Sequence, residues 1–408
     1  MARLEIISCD ELSHAAGLDG GARRDFNARR DFERREDLCV ETESAAQAEL
    51  DELRRLTERW EGLAVIAHYD RPTGTWVFIA MHDTTLGDAA GGCRMCTYPK
   101  LSDALRDAMR LAEAMTRKWA VVDFNSGGGK AVLAVPRPLA GAERAGLLER
   151  FGHLLEKLGG RFGTGEDLGT TPADMAELAR VTRYVHGLDR NTGRLIEPGQ
   201  YTALGVAGGI RAALAHAYGD GKAAGRTVLV QGAGHVGAPL ARMLSEEGAS
   251  VILCDVDEQR MRSLARELEC RWANPASVYT TPCDIYAPCA MGGTLNSNSA
   301  AQLSCRIVAG AANNQLERAS VADALHERGI LYAPDYVINA GGAIALPLLH
   351  QGASEAAVRE RIAGIADTLG QIFDEATRYG ESPLHAAERK VERVLERARL
   401  KAERVKAI

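Results

Sequence analysis

Two spacings of apolar residues divide the chain near residue 190. Before it, Leu50, Leu53 and Leu56 recur at threes among acids and bases between Ala45 and Trp60, which predicts a helix. Leu63–His68 and Thr75–Met81 predict two strands, with the turn-forming run Asp70-Arg-Pro-Thr-Gly74 between them. Ser102 to Arg117 is an amphipathic helix, with Ser102 expected as its cap and Asp103 in its first turn. After Arg190, apolar runs fall at Thr227–Gln231, Ser250–Cys254, Asp284–Ala287, Ile307–Ala309 and Ile330–Tyr332. Helical segments separate several of them, which is the rhythm of a parallel sheet covered by helices. From Ala356 to Ile408 the pattern is helical and ends in the charged run Lys390–Lys406.

The chain has 408 residues, enough for two or three domains, and its 46% apolar and 25% charged residues are those of a soluble globular protein. Fibrous, disordered and membrane-embedded classes are excluded; no run of about 18 apolar residues is free of charge. The start, Met1 to Ser8, lacks the pattern of a secretory signal. A net charge of −6 gives no general reason to coat nucleic acid. Nine scattered cysteines form no disulfide framework, so a reducing cytoplasm is expected. Residues 1–45 stand apart as a charged extension with a duplicated block, Ala22-Arg-Arg-Asp-Phe-Asn and Ala28-Arg-Arg-Asp-Phe-Glu, expected as a solvated helix or loose tail.

The run Val228-Leu-Val-Gln231 leads into Gly232-Ala-Gly234-His-Val-Gly237, then a helix-like segment, and the next strand ends in Asp255. This is the setting in which a GxGxxG motif binds a dinucleotide. Gly232 permits the tight turn, Gly234 lets backbone approach the pyrophosphate, and Gly237 lets the helix pack on the strand. Asp255 can accept hydrogen bonds from a ribose diol and repels a 2′-phosphate, which favours NAD; Arg260 nearby keeps NADP in play.

Of the 49 basic residues, eight are Lys and 41 Arg, so a Lys in an apolar setting asks for a chemical reason. Lys118 closes Met115-Thr-Arg-Lys118, and Lys130 follows Gly127-Gly-Gly. A phosphate-binding P-loop fails here, because Phe124 stands where its first Gly belongs and Ala131 replaces its Ser or Thr. Two ammonium groups in one desolvated cleft lower at least one pKa, and such a Lys can act as a base at neutral pH. Glu166 and Asp167 lie on a Gly-bounded segment before Thr171-Pro-Ala-Asp174, which reads as a helix start.

These segments occur in order with His82-Asp-Thr-Thr-Leu-Gly87, Gly91-Gly-Cys-Arg-Met95, Gly165-Glu-Asp-Leu-Gly-Thr170, Asp284-Ile-Tyr-Ala-Pro-Cys-Ala290, Gly310-Ala-Ala-Asn-Asn-Gln315 and Tyr332-Ala-Pro-Asp-Tyr-Val-Ile-Asn-Ala-Gly-Gly342. The whole resembles the leucine/phenylalanine/valine dehydrogenase branch of the amino-acid dehydrogenases. The resemblance implies an α/β protein of two domains. One is a substrate and oligomerisation domain over residues 46–190; the other is a Rossmann-type doubly wound dinucleotide-binding domain over 191–370. Helices at 371–408 are expected to pack back on the first domain. It implies reversible oxidative deamination of an L-amino acid to a 2-oxo acid and ammonia with NAD, in a homo-oligomer without a metal.

By motif, Lys118 matches the lysine that binds the substrate carboxylate, Lys130 the one that activates water, and Asp167 the acid that relays protons. Asn314 matches the amide that helps fix the substrate, and Gly91 the backbone lining the cleft. Cofactor contacts are implied at Gly232, Gly234, His235, Val236, Gly237, Asp255, Thr202, Cys289, Ala311 and Asn339. The side-chain pocket is implied at Ala90, Met115, Gly165, Ala343 and Leu346. None of these is charged and several are small, which suits an apolar, phenylalanine-like side chain; leucine or valine is the alternative.

Three positions depart from the family pattern: Trp119, Asp123 in place of a Gly, and Ser126. Trp119 can refill opened space and Asp123 can alter the charge around the lysines. Cys93-x-x-Cys96 has half the spacing of a metal site, but no second pair follows, so no metal is expected. A non-catalytic NAD-binding regulator is the rival reading; the joint presence of Lys118, Lys130 and Asp167 speaks against it.

Overall fold

The computed structural model describes residues 47–189 and 191–406. The Arg-rich extension expected over 1–45 lies outside them. Residues 47–59 form helix α1. Strands β1 (Ala64–Asp70), β2 (Thr75–Asp83), β3 (Ala89–Cys96), β4 (Gly127–Ala134), β5 (Phe162–Glu166) and β6 (Val185–His186) form one sheet in the order β1-β2-β4-β3-β5-β6. The β1–β2 and β2–β4 pairs are antiparallel and the rest parallel. Helix α2 (Leu101–Val121) covers one face, while α3 (Gly141–Lys157) and α4 (Pro172–Ala179) cover the other.

The β1–β2 pair follows the apolar pattern, but β3, β4 and β5 do not, since glycines occupy much of them. The Gly127–Gly129 triplet opens β4, and Lys130 stands in mid-strand. A Cβ on Gly128 would lie 2.0 Å from Thr116 Oγ1 of α2, so the helix sits almost on the backbone of β4. That close approach sets where the C-terminal end of α2, and with it Lys118, meets the sheet. The α2 cap differs from expectation: Ser102 is inside the helix and buried, and Lys100 precedes it without a side-chain cap bond. Glu49 of α1 instead accepts the free N–H groups of Leu101 (2.7 Å) and Ser102 (3.3 Å), so a tertiary contact does the work of a local one. Helix α4 starts as its sequence indicates, with Thr171 and Asp174 forming a reciprocal capping box.

The second sheet is parallel throughout. Strands β7 (Thr227–Gln231), β8 (Ser250–Cys254), β9 (Arg271–Trp272), β10 (Ile285–Pro288), β11 (Ile307–Val308) and β12 (Leu331–Tyr332) lie in the order β12-β11-β10-β7-β8-β9. Helices α5 (Pro198–Tyr218), α6 (Gly237–Glu246), α7 (Glu258–Glu267), α8 (Ser297–Gln302) and α9 (Ser320–Glu327) alternate with these strands. Buried aliphatic cores lie on both faces, as a doubly wound sheet requires. Helices α10 (Asp335–Ile338) and α11 (Gly341–His350) follow, and α12 (Glu355–Tyr379) packs along α5.

The expected C-terminal helical stretch is broken at Gly380, whose φ of 65° ends α12 in the left-handed region. Helix α13 (Pro383–Lys406) then returns to the first domain and packs on α2. Lys390 Nζ pairs with Asp123 Oδ2 at 2.9 Å, and Arg399 reaches Asp83 at 2.9 Å. Asp123 has φ 51°, a backbone setting that glycine adopts freely and Asp tolerates. Its carboxylate is therefore spent on Lys390 rather than on the lysines of the cleft, contrary to the expectation from sequence. Among the described residues, no helix is long and apolar enough to cross a membrane.

Candidate active site

The two sheets face each other across a cleft of about 290 Å³. Its first wall follows from the strand pleat, since alternate residues share a face. Registered side by side, Ala90, Gly92 and Arg94 of β3, Gly128 and Lys130 of β4, Gly163 and Gly165 of β5 with Asp167 just beyond it, and His186 of β6 share the cleft side of the sheet. Most have no side chain beyond a methyl group. The longer ones therefore rise from a nearly bare floor, and there is room between them for a ligand.

Lys130 is buried, and its Nζ lies 3.1 Å from Asp167 Oδ2. The same oxygen accepts from Arg94 Nε at 2.8 Å, and Arg94 Nη1 in turn donates to Asp107 at 2.8 Å. Burial alone would raise the Asp167 pKa, but the Lys130 and Arg94 charges hold it below the usual carboxylate value. Glu166, one residue earlier, also lines the cleft but has no ion-pair partner there among the described residues; burial pushes its pKa up instead. Of the two carboxylates, Asp167, the one the resemblance implied, is the one that meets Lys130 and Arg94.

Lys118, in the last turn of α2, enters the cleft from above. Desolvation pushes its ammonium down to about 8, with Asp335 opposing the fall and Lys130 adding to it. The lowering expected for the lysine pair therefore falls on Lys118. Its Nζ lies 3.4 Å from Asn313 Oδ1, which also accepts from Asn339 Nδ2 at 2.7 Å. Asn314, expected to help fix the substrate, lines the cleft beside Asn313, in a left-handed conformation with φ 50°. Asp335 is held by the N–H groups of Gln315 (2.9 Å) and Tyr336 (2.7 Å), and burial raises its pKa.

The opposite wall carries the glycine turn at the C-terminal edge of β7. Gly232 has φ 103°, and a Cβ on Gly237 would lie 1.8 Å from Gly232 O. A Cβ on Gly234 would meet nothing nearer than Arg260 Nη1 at 3.8 Å, which leaves open space beside the turn for a ligand. Asp255 Oδ2 accepts from Ala233 N at 2.6 Å, which ties the end of β8 to this turn. Thr202, Val236, Ala311 and Asn339 line the cleft, and Asn339 Oδ1 is buried without a partner among the described residues. An open cradle, an acidic strand end and an orphaned amide oxygen fit a dinucleotide. Cys289 packs against the turn, its thiol pushed up to about 12 by burial. His235 lines an adjoining groove with Glu197 and Arg242. Gly237→Ala is expected to lower dinucleotide affinity by at least about tenfold and to lower Tm, because the added methyl must displace the Gly232 backbone. Fluorescence titration and thermal melting would check this.

Gly91, Ala90, Met115, Gly165, Ala343 and Leu346 all line the cleft, as expected for a pocket. Sequence reasoning missed Arg94, Asn313, Asp335 and His186. Arg94 and Asp335 sit inside motifs that were read for other residues, whereas His186 has no sequence signal. Trp119 is buried with its Nε1 donating to Ala90 O at 3.0 Å, so it fills part of the space that Ala90 leaves. Among the described residues no His, Cys, Asp and Glu cluster of three or more could hold a metal.

A doubly wound sheet with a glycine turn, facing a lysine–aspartate cluster on a second domain, defines a two-domain dehydrogenase. Residues 69–184 match the family profile described as Glu/Leu/Phe/Val dehydrogenase, dimerisation domain, and residues 253–400 match Glutamate/Leucine/Phenylalanine/Valine dehydrogenase. Leucine dehydrogenase of Bacillus subtilis is 39% identical over 85% of this chain and 95% of its own length. Phenylalanine dehydrogenase of Caldalkalibacillus thermarum is 38% identical over 81% and 90%. The crystal structure of L-tryptophan dehydrogenase from Nostoc punctiforme superposes with a TM-score of 0.73 at 35% identity, covering 85% of this chain and 99% of that one. The chain belongs to the Glu/Leu/Phe/Val dehydrogenase family. It is an amino-acid dehydrogenase of a family that depends on nicotinamide dinucleotides.

Proposed function

We propose that this enzyme oxidatively deaminates an apolar, aromatic, phenylalanine-like L-amino acid to its 2-oxo acid and ammonia, with NAD. The observation that carries the chemistry is Lys130 and Asp167 at 3.1 Å on a glycine floor, below Lys118 and opposite the dinucleotide turn. Lys118 binds the substrate carboxylate, and Asn314 and Gly91 help place the substrate. When bound, the nicotinamide supplies the hydride acceptor for Cα. Asp167 faces the cationic imine left behind and stabilises it, while Lys130 takes the proton of the attacking water. Asp167 then relays the hydroxyl proton of the carbinolamine to the departing amine, which leaves as ammonia. Because the two walls belong to different domains, closure of the cleft assembles the site and excludes water.

The pocket supports an apolar side chain: around Gly165, Ala343 and Leu346 no cation stands ready for a side-chain carboxylate. A Cβ on Gly165 would lie 3.6 Å from Leu346 Cδ1, so the glycine opens space just where a larger residue would close it. NAD over NADP is supported by the Asp255 carboxylate and by Arg260, whose guanidinium is held by Asp257 at 2.8 Å. A homo-oligomer built through the first domain is supported by the dimerisation-domain match.

The test is NADH formation from Phe, Trp, Tyr, Leu, Val and Glu, each with NAD and with NADP. An aromatic amino acid in front with NAD supports the reading. Leu or Val in front keeps the mechanism and sinks the pocket argument. Silence on all six, with NAD still bound, favours the non-catalytic regulator.

The low Lys118 pKa gives a further expected result. Its ammonium is charged below about pH 8 and neutral above, so the enzyme should lose affinity for a 2-oxo acid, which does not titrate there, as pH rises through about 8. Lys118→Arg should move that loss beyond pH 10. Calorimetric titration of the 2-oxo acid into the NAD complex reads both.

A further inference from the structure

Asp335 lines the second-domain wall of the cleft, and none of the deamination steps above uses it. It opens α10, with its carboxylate turned onto backbone: Oδ2 accepts from Gln315 N at 2.9 Å and Oδ1 from Tyr336 N at 2.7 Å. Burial raises its pKa, but the N–H groups of Gln315, Tyr336 and Asn314 and the charge of Lys118 all favour the ionised form. Both of these side-chain bonds are accepted rather than donated, which is the geometry of a carboxylate. The turn that Asp335 holds carries two amides of the cleft, Asn313 and Asn314, the latter at φ 50°, a left-handed conformation open to Asn. Its carbonyl side is pinned as well, since Gly293 N donates to Asn314 O at 2.7 Å and Leu295 N to Gln315 O at 3.0 Å. Clamped on both sides, the turn presents Asn313 Oδ1 to Lys118 Nζ at 3.4 Å.

Asp335 also acts on Lys118 directly. Of the charged groups that face this ammonium, Asp335 from α10 and Asp167 beyond β5 support its charge, and Lys130 from β4 opposes it. Asp167 is already paired with Lys130 at 3.1 Å and Arg94 at 2.8 Å, whereas the Asp335 carboxylate meets only backbone N–H groups at hydrogen-bond distance among the described residues. Resting on the amino-acid dehydrogenase reading above, we propose that Asp335 is a positioning residue for recognition of the substrate carboxylate: it fixes the 313–315 turn through its backbone and supplies the counter-charge that keeps Lys118 an ammonium ion at neutral pH. One side chain of the second domain thereby holds the amides in place and charges the anchor of the first, so a substrate carboxylate finds both ready.

The test measures binding of the 2-oxo acids of Phe, Trp and Leu to the NAD complex across pH, with kcat and KM for the three amino acids. The native enzyme is compared with Asp335→Asn, Asp335→Ala and the double variant Lys118→Arg/Asp335→Asn. In Asp335→Asn the amide oxygen can still accept from the turn but the counter-charge is gone. The loss of affinity that the native enzyme shows through about pH 8 should therefore set in about one pH unit lower, with binding at pH 8 about fivefold weaker and KM raised more than kcat is lowered. Asp335→Ala should show the same shift and, with the turn freed, weaker binding at every pH. With Arg at position 118 the anchor does not titrate, so adding Asp335→Asn should produce no shift. Should Asp335→Asn fail to fold, Asp335→Glu keeps the charge and displaces the turn: the midpoint should stay near pH 8 while affinity falls at every pH. An unmoved midpoint in Asp335→Asn, as a purely structural role would give, or native affinity in Asp335→Glu, overturns this proposal and leaves the dehydrogenase reading standing. No turnover of any of the three amino acids by the native enzyme overturns both.

Discussion

Lys130→Ala is expected to lower kcat by about 10³-fold or more while leaving NAD affinity within a factor of two. Lys130 stands on the floor of the first domain, away from the glycine turn, so NAD binding should not feel its loss. What disappears is the group placed to take a proton from water as it adds to the imine, and the positive charge beside the developing carbonyl oxygen. Asp167 keeps its partner Arg94 at 2.8 Å, so the carboxylate stays ionised and in place. The loss should therefore appear in kcat, with a smaller change in KM. Stopped-flow and steady-state absorbance of NADH, with dye-free NAD titration alongside, separate the two effects. A variant within tenfold of the native kcat would remove Lys130 from the chemistry.

Asp167→Asn is the second large effect, with kcat expected to fall by about 10²–10⁴-fold. The amide keeps the shape but cannot carry a proton between amine and water, and it removes the negative charge that faces both cations. Lys130 and Arg94 then confront each other without their shared counter-charge, in a partly desolvated site. Arg94 remains tied to Asp107 at 2.8 Å, so the wall itself should hold and the circular dichroism spectrum should not change. Asp167→Glu should recover little, because the acid must share one oxygen between Lys130 and Arg94. Equal losses in Asp167→Asn and in Arg94→Lys would instead indicate that the charge arrangement matters more than the proton relay.

The second domain was largely legible because its strands are continuous apolar runs, buried on both faces, between recognisable helices. The first domain was less so. Gly91, Gly92, the Gly127–Gly129 triplet, Gly163 and Gly165 supply no alternation, since they put no side chain on either face. Spacing therefore missed β3 and β5 and left Gly127–Gly129 without an element. The motif implied Asp167 rather than Glu166, and its ion pairs with Lys130 and Arg94 come only with the fold. Lys118 and Lys130 were legible through the scarcity of lysine in an Arg-rich chain. Arg94 is one Arg among 41 and shows its role only through Asp107 and Asp167. His186 comes from a two-residue strand that no periodicity marks, and the cap of α2 belongs to Glu49, about fifty residues away in sequence.

The most direct measurement is a product balance. Purified enzyme would be incubated with NAD and an aromatic L-amino acid, and NADH, ammonia and 2-oxo acid would be quantified for the native chain and for Lys130→Ala. The site described here predicts the three products in a 1:1:1 ratio from the native enzyme, and a loss of all three by about 10³-fold in the variant with NAD still bound. NADH formed without ammonia, or a variant that deaminates at near the native rate, would contradict it.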